Sequence, residues 1–200
     1  RFTQVSRETI TSLIKYENYL IESNKSLNLV GKSTINNIWI RHFLDSSQLI
    51  DFIDKNIQSA TDIGSGAGFP GLIISILAKD RKIPIKVSLI EKSRKKALFL
   101  NKVINDLSLD VKVLNLNVFE LINKIQTELI IARAFKPLEI ILQFLDQKAE
   151  NWKKILLFLG ETGKKELLQA SKSWDIQYKQ RMSVTSSDSI VIEINKLKKK

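Results

Sequence analysis

Asp62-Ile63-Gly64-Ser65-Gly66-Ala67-Gly68-Phe69-Pro70-Gly71 gathers four of the chain's seven glycines into ten residues, between an apolar approach with strand character and an apolar run with helical character. A strand that turns straight into a helix is where a nucleotide-like ligand binds in an open α/β sheet. Glycine suits such a turn because some positions need φ > 0 and at others a Cβ would hold the backbone away from the ligand. Pro70 fits the first turn of the helix, whose free N–H groups and positive dipole end face back toward the glycines.

Upstream of this stretch the pattern is helical. Ile10, Leu13, Ile14 and Ile21, with Tyr16 and Leu20 beside them, recur at helical spacing between Ser6 and about Ser23, and Ser6 can cap the start. Asn24-Lys25-Ser26-Leu27-Asn28 reads as a turn, and a second helical pattern runs from Asn36 through Ile53 with a break near Ser46-Ser47. Residues 1–58 are therefore expected to form a helical N-terminal extension and residues 59–200 one compact α/β unit.

Downstream the pattern alternates. Strands are expected at Ala60–Ile63, Ile85–Glu91, Val111–Leu116, Glu128–Ala132, Ile155–Leu159, Gln177–Gln180 and Ser189–Asn195. Helices are expected at Pro70–Lys79, Ser93–Asp106 and Pro137–Ala149, with shorter ones near Phe119 and Lys165. This is the pattern of a doubly wound, mostly parallel seven-stranded sheet with both faces covered. Only Met182 to Asp188 separates the last two strands, which places an antiparallel hairpin at a sheet edge. The closing Lys196-Leu197-Lys198-Lys199-Lys200 reads as a solvated end or, alternatively, as a tail that touches RNA.

Two hundred residues with 44% apolar content support one well-buried domain with a small appendage. Lys and Arg number 32 against 21 Asp and Glu, a net charge of +11 that favours a polyanion, although an anionic membrane surface also fits. The absence of cysteine excludes disulfides, thiolate metal sites and cysteine nucleophiles, and suits a reducing cytosol; no metal is expected. No apolar run approaches the ~20 residues of a membrane span, and the start, at Arg1 without a methionine, has no signal-peptide core. The expectation is a soluble, cytoplasmic protein. No coiled-coil seam argues against a monomer.

Gly66 to Gly71 formally matches G-x-G-x-x-G, so a dinucleotide-dependent oxidoreductase is one reading. Gly64-x-Gly66-x-Gly68 with Asp62 ahead resembles instead the first motif of S-adenosylmethionine-dependent methyltransferases. Glu91 closes the next strand about twenty residues on, where an acid accepts hydrogen bonds from ribose hydroxyls in either cofactor class. Its ordinary alternative is a surface pair with Lys92 or Lys95.

The remaining chemistry narrows by residue type. Pyrimidine carbon-5 methylation needs a cysteine, and none is present. The proline pair typical of exocyclic-amine methylation is missing, since Pro70, Pro84 and Pro137 are all isolated. Ala132-Arg133-Ala134-Phe135 stands in its place. Guanine N7 offers a lone pair with no proton to remove, so alignment and desolvation suffice. Arg133 could grip a phosphate or base edge, or form a salt bridge at the sheet's end, while Phe135 could stack on a base or belong to the core.

These features resemble the bacterial small-subunit (16S) ribosomal RNA guanine-N7 methyltransferases, the glucose-inhibited division protein B family. Asn24-Lys25-Ser26-Leu27-Asn28-Leu29, Arg41-His42-Phe43-Leu44-Asp45-Ser46, the turn Asp62 to Gly71 and Arg133-Ala134-Phe135 carry the likeness along nearly the whole chain. The resemblance implies a Rossmann-like class I fold, S-adenosylmethionine as cofactor with S-adenosylhomocysteine as product, and small-subunit ribosomal RNA or the subunit particle as partner. It implies cofactor contacts at Asp62, Gly64, Gly66, Gly68, Phe69, Glu91, Val118, Phe119 and Arg133, with Val118 and Phe119 flanking the adenine. It places Arg41, His42 and Arg133 where they would position the substrate, although Arg41 and Asp45 also have the spacing of a plain helix-surface ion pair. Ser23, Val30 and Leu159 depart from the family pattern. A lysine is usual at the last of these, and Lys153, Lys154 or Lys164 would have to replace it. A non-catalytic RNA-binding assembly factor that keeps the fold is the alternative this departure supports.

Overall fold

The computed structural model describes residues 5–133 and 135–200; Ala134 of the Arg-Ala-Phe motif lies outside the described residues. Ser6 caps helix α1 (Arg7–Leu27), its Oγ accepting from the Thr9 N–H at 3.1 Å. The helix runs past Ser23, where the sequence suggested a turn, because Leu27 still has core to pack against. The chain turns at Asn28, in the left-handed region at φ 46°, and the Asn24 side chain accepts from the Val30 N–H at 2.9 Å to close it.

Residues 35–52 do not form the expected helix broken once near Ser46-Ser47. A 3-10 turn (Ile35–Asn37) leads into a π-helical turn (Trp39–Leu44), a single α turn α2 (Asp45–Ser47) and another 3-10 turn (Gln48–Phe52). The changing pitch turns Phe43, Asp45 and Ser46 inward together.

From Ser59 the chain builds a sheet of seven strands in the order β3-β2-β1-β5-β7-β9-β8. The parallel part comprises β1 (Ser59–Ile63), β2 (Lys86–Ile90), β3 (Val111–Leu114), β5 (Leu129–Arg133) and β7 (Lys154–Leu159). Strands β8 (Trp174–Ser183) and β9 (Ser186–Lys199) form the edge hairpin, antiparallel to each other and to β7. The hairpin is longer than its apolar pattern suggested, and the terminal lysines are not a frayed tail: Lys196, Lys198 and Lys199 pair with Gln177, Asp175 and Trp174. Two two-residue strands, β4 (Ile125–Gln126) and β6 (Ala149–Glu150), form a small parallel pair too short for any periodicity to reveal.

Helices α3 (Gly71–Asp80) and α4 (Arg94–Asp106) cover one face, and α5 (Leu138–Lys148) and α6 (Gly163–Ala170) the other. Pro70 precedes the first helical residue of α3 and follows a cis peptide bond. Helix α1 lies across α3 and α4: Leu13, Tyr16 and Leu20 share one apolar cluster with Leu72, Ile73 and Phe99. The N-terminal segment therefore buries its apolar face in the core of the sheet unit. None of the described helices is long and apolar enough to cross a membrane.

Candidate active site

Strand order reverses between β1 and β5, and the carboxyl ends of the strands open there into a cavity of about 610 Å³. Its floor is the glycine turn. The Gly64 and Ser65 N–H groups donate to the Ile90 carbonyl at 2.9 and 3.0 Å, tying the turn to the end of β2. Beneath it lies Asp62, fully buried, with Oδ2 accepting from the Gly71 N–H at 3.0 Å and Oδ1 without a hydrogen-bond partner among the described residues. Burial pushes the Asp62 carboxyl up to about 7, against the opposing pull of the Gly71 hydrogen bond. On the far side, Tyr16 of α1 donates its hydroxyl to the Ala67 carbonyl at 2.5 Å.

Glu91 closes one wall. One carboxyl oxygen accepts from the Gly66 N–H at 2.9 Å and the other from the Ser93 N–H at 2.7 Å, so it meets backbone donors rather than Lys92 or Lys95. Each oxygen keeps one lone pair free for another donor. Facing it, Phe119 and Phe135 stack with ring centroids 5.7 Å apart and planes at 6°. The Phe135 ring lies over Gly64, where an added Cβ would fall 2.1 Å from it.

The opposite wall joins three distant segments. Arg133, at the end of β5, pairs its guanidinium with Asp45 at 3.0 Å and donates to the Arg41 carbonyl at 2.6 Å and to His42 Nδ1 at 3.2 Å. The alternative pair between Arg41 and Asp45 is not formed, because Asp45 turns inward to Arg133. A guanidinium only donates, so Nδ1 must accept and the imidazole proton sits on Nε2, 3.0 Å from Thr34 Oγ1. Burial, then the Arg133 charge, lowers the His42 pKa to about 4, with Asp45 pulling the other way. The ring is thus neutral at pH 7, and it stacks on Phe69 at 4.9 Å and 14°.

Gly64, Gly66, Phe69, Glu91, Val118, Phe119, Arg133 and His42 line this cavity. Asp62 and Gly68 do not; they shape the turn from below, and Arg41 offers its carbonyl to Arg133 rather than its side chain to the cavity. Lys92, Lys96, Asn117 and Lys136 also line it, unmarked by sequence, since an isolated lysine beside a motif looks like any solvated one. Val30 and Gly31, from the turn after α1, reach the rim.

The family described as rRNA small subunit methyltransferase G (GidB) matches residues 9–193. The chain belongs to this family. A ribosomal RNA small subunit methyltransferase G from Pelagibacter ubique (strain HTCC1062) is 42% identical over 198 residues, covering 98% of this chain and 92% of its own length. Its counterpart from Rickettsia akari (strain Hartford) is 34% identical over 196 residues, covering 98% of both chains. Among solved structures, M. capricolum TrmK in complex with S-adenosylhomocysteine superposes with a TM-score of 0.57 at 16% identity, over 76% of this chain and 67% of that one. A SAM-dependent methyltransferase from Aquifex aeolicus gives 0.59 at 15% identity, over 79% and 92%. The fold is thus the class I, Rossmann-like one.

Within the GidB frame the candidate substitutes for the missing lysine resolve differently. Leu159 is buried against Gly163. Lys154 is buried at the opposite, amino-terminal end of β7, held by the Phe52 carbonyl, Asp54 and Glu193, and Lys153 pairs with Glu128 beside it. Lys164 opens α6 but does not line the cavity. Lys136 does, and it also lines a neighbouring cavity of about 300 Å³ at the ends of β5 and β7.

Proposed function

We propose that this GidB-family chain transfers the methyl of S-adenosylmethionine to N7 of a guanine in small-subunit ribosomal RNA. The observation that carries the reading is that the cavity's two natural candidates for a base are already engaged. His42 has one ring nitrogen accepting from Arg133 and the other facing Thr34, and Glu91 has an N–H on each carboxyl oxygen. Attack by guanine N7 needs no base: the N–CH₃ bond forms as the S–CH₃ bond breaks, no proton leaves, and the positive charge passes from sulfur to the guanine ring.

The residues present suit the cofactor. An added Cβ at Gly66 would meet nothing nearer than the Gly64 carbonyl at 3.9 Å, so the turn leaves room there for a ligand to lie against backbone. When bound, S-adenosylmethionine supplies an electrophilic sulfonium methyl. The spare lone pairs of Glu91 would accept from ribose hydroxyls, Val118 and Phe119 would side the adenine, and Asp62 would hold the turn rather than touch the ligand. Arg133, ion-paired with Asp45 and donating to the Arg41 carbonyl and His42, brings its positive charge to the cavity wall, where it would meet substrate or cofactor. Lys92, Lys96 and Lys136 at the rim, on a chain of net charge +11, favour RNA phosphate. The same reading puts the protein in the cytoplasm, with the ribosomal subunits, acting as a monomer.

The test is transfer of labelled methyl to small subunits from cells lacking this protein, followed by borohydride and aniline treatment, which cuts RNA at N7-methylguanine. Label with a single discrete cut is the expected result. Intact cofactor and RNA binding without transfer would replace this reading with the assembly factor.

A further inference from the structure

We propose that the turn of the β8–β9 hairpin belongs to the active-site apparatus, with Ser183 and Thr185 acting through Asp45 as positioning residues for Arg133. The inference rests on the reading of the cavity as a methyl-transfer site. Asp45 is only 6% exposed and divides its two oxygens between two tasks. Oδ2 faces the Arg133 guanidinium at 3.0 Å. Oδ1 accepts from Ser183 Oγ at 2.6 Å, Thr185 Oγ1 at 2.9 Å and Gln48 Nε2 at 2.9 Å. The carboxylate cannot rotate to follow Arg133 without breaking these bonds, so the hairpin turn sets the direction in which the guanidinium is pulled.

The hairpin is shaped for this contact. Its ladder shifts register between Met182 and Ser183, and such an irregularity beside a site re-aims a side chain. Here Ser183 pairs with Ser186 in the shifted register, its Oγ accepting from the Thr185 N–H at 3.1 Å while donating to Asp45. Arg41 Nη1 reaches the Thr185 carbonyl at 3.4 Å, and Gln48 Oε1 accepts from the Val184 N–H at 3.4 Å, so both flanks of Asp45 hold the same turn. For stability alone, a buried ion pair with three further donors gains little over an apolar contact of the same size. The arrangement does give Arg133 one orientation, and Ser183 and Thr185 do so without lining the cavity themselves.

The consequence is readable at His42, whose Nδ1 accepts from Arg133 and whose other charged neighbours are Asp45 and Arg41. In the Ser183→Ala/Thr185→Val variant, Asp45 loses two donors and Arg133 loses its fixed anchor. The imidazole should then titrate above the value of about 4 that burial and Arg133 impose, with burial still holding it below its ordinary 6.5, read as the ¹⁵N shift of its ring nitrogens against pH. The kcat for methyl transfer should fall roughly tenfold, the scale of a modest misplacement, while Thr185→Ser, which keeps the hydroxyl, stays at wild type in both readouts. A lower melting temperature with the His42 midpoint and kcat unchanged would reduce the contact to a structural one and overturn the proposal. Should the double variant not fold, Thr185→Val alone must still move the midpoint upward, and no movement overturns it equally. Failure of the wild type to methylate RNA would sink the functional reading instead, while the His42 titration still decides the linkage.

Discussion

Gly66 and Gly68 both sit at positive φ, 59° and 101°, but for different reasons. A Cβ at Gly68 would lie 2.6 Å from Leu72 Cδ1 and 2.7 Å from the Tyr16 hydroxyl, inside the protein, whereas one at Gly66 would enter cavity space. Gly66→Ala should therefore cost only about 1 kcal/mol of stability, the usual left-handed penalty, yet weaken cofactor binding tenfold or more. Gly68→Ala adds steric overlap to the same penalty and should cost about 3 kcal/mol. Urea denaturation and calorimetry on both variants check this, and the reverse ranking would mean that the turn is mispositioned relative to the ligand. Asp62 and His42 carry opposite pH signatures. The folded-state pKa of Asp62, about 7, lies above its ordinary 3.8, so its contribution is fully present below that value and is lost as pH rises through 7. For His42, lowered to about 4 from 6.5, the contribution is present above 6.5 and is lost as pH falls through 4. Between these limits the two slopes oppose each other. Asp62→Asn removes one of them, so its stability should climb from pH 4 to 6.5 more steeply than wild type; parallel curves would show that Asp62 is ionised throughout.

Elements were legible in proportion to the regularity of their burial. The central strands β5 and β7 are covered on both faces and announce themselves as apolar runs, whereas the equally buried β1 carries Thr61 and Asp62 within it. Residues 35–52 carry the apolar spacing of a helix because turns of three different pitches average into it. The pattern does not carry the register of β8 and β9 either: β8 is exposed along most of its length and shows no alternation, so only four of its ten residues read as strand. Helix α1 was visible, but its role was not. It supplies the donor that holds the Ala67 carbonyl in the glycine turn. Tyr16→Phe should leave that buried acceptor unpaired, cost about 1–2 kcal/mol, and weaken cofactor affinity several-fold while α1 stays folded by circular dichroism. Wild-type affinity in this variant would show that the turn keeps its shape without α1.

At the scale of the whole molecule, the excess of 32 basic over 21 acidic side chains was plain from composition, and its consequence is testable without locating a single contact. RNA affinity should fall by at least about tenfold between 50 and 200 mM salt if even a few phosphates are neutralised; a flat response measured by filter binding would remove charge from recognition. The sequence by itself determined the sheet class, the glycine turn that floors the cavity and the family, because these rest on local signals: apolar periodicity, glycine spacing and short contiguous motifs. It also contained Arg41, His42, Asp45 and Arg133 as separate marks. Only the tertiary structure decided that Asp45 belongs to Arg133 rather than to Arg41, that the His42 proton sits on Nε2, and that Ser183 and Thr185 reach the same carboxylate. Those partners lie between 88 and 140 residues apart in the chain, and which donor meets which acceptor across such distances is set by how the core packs, not by any local preference.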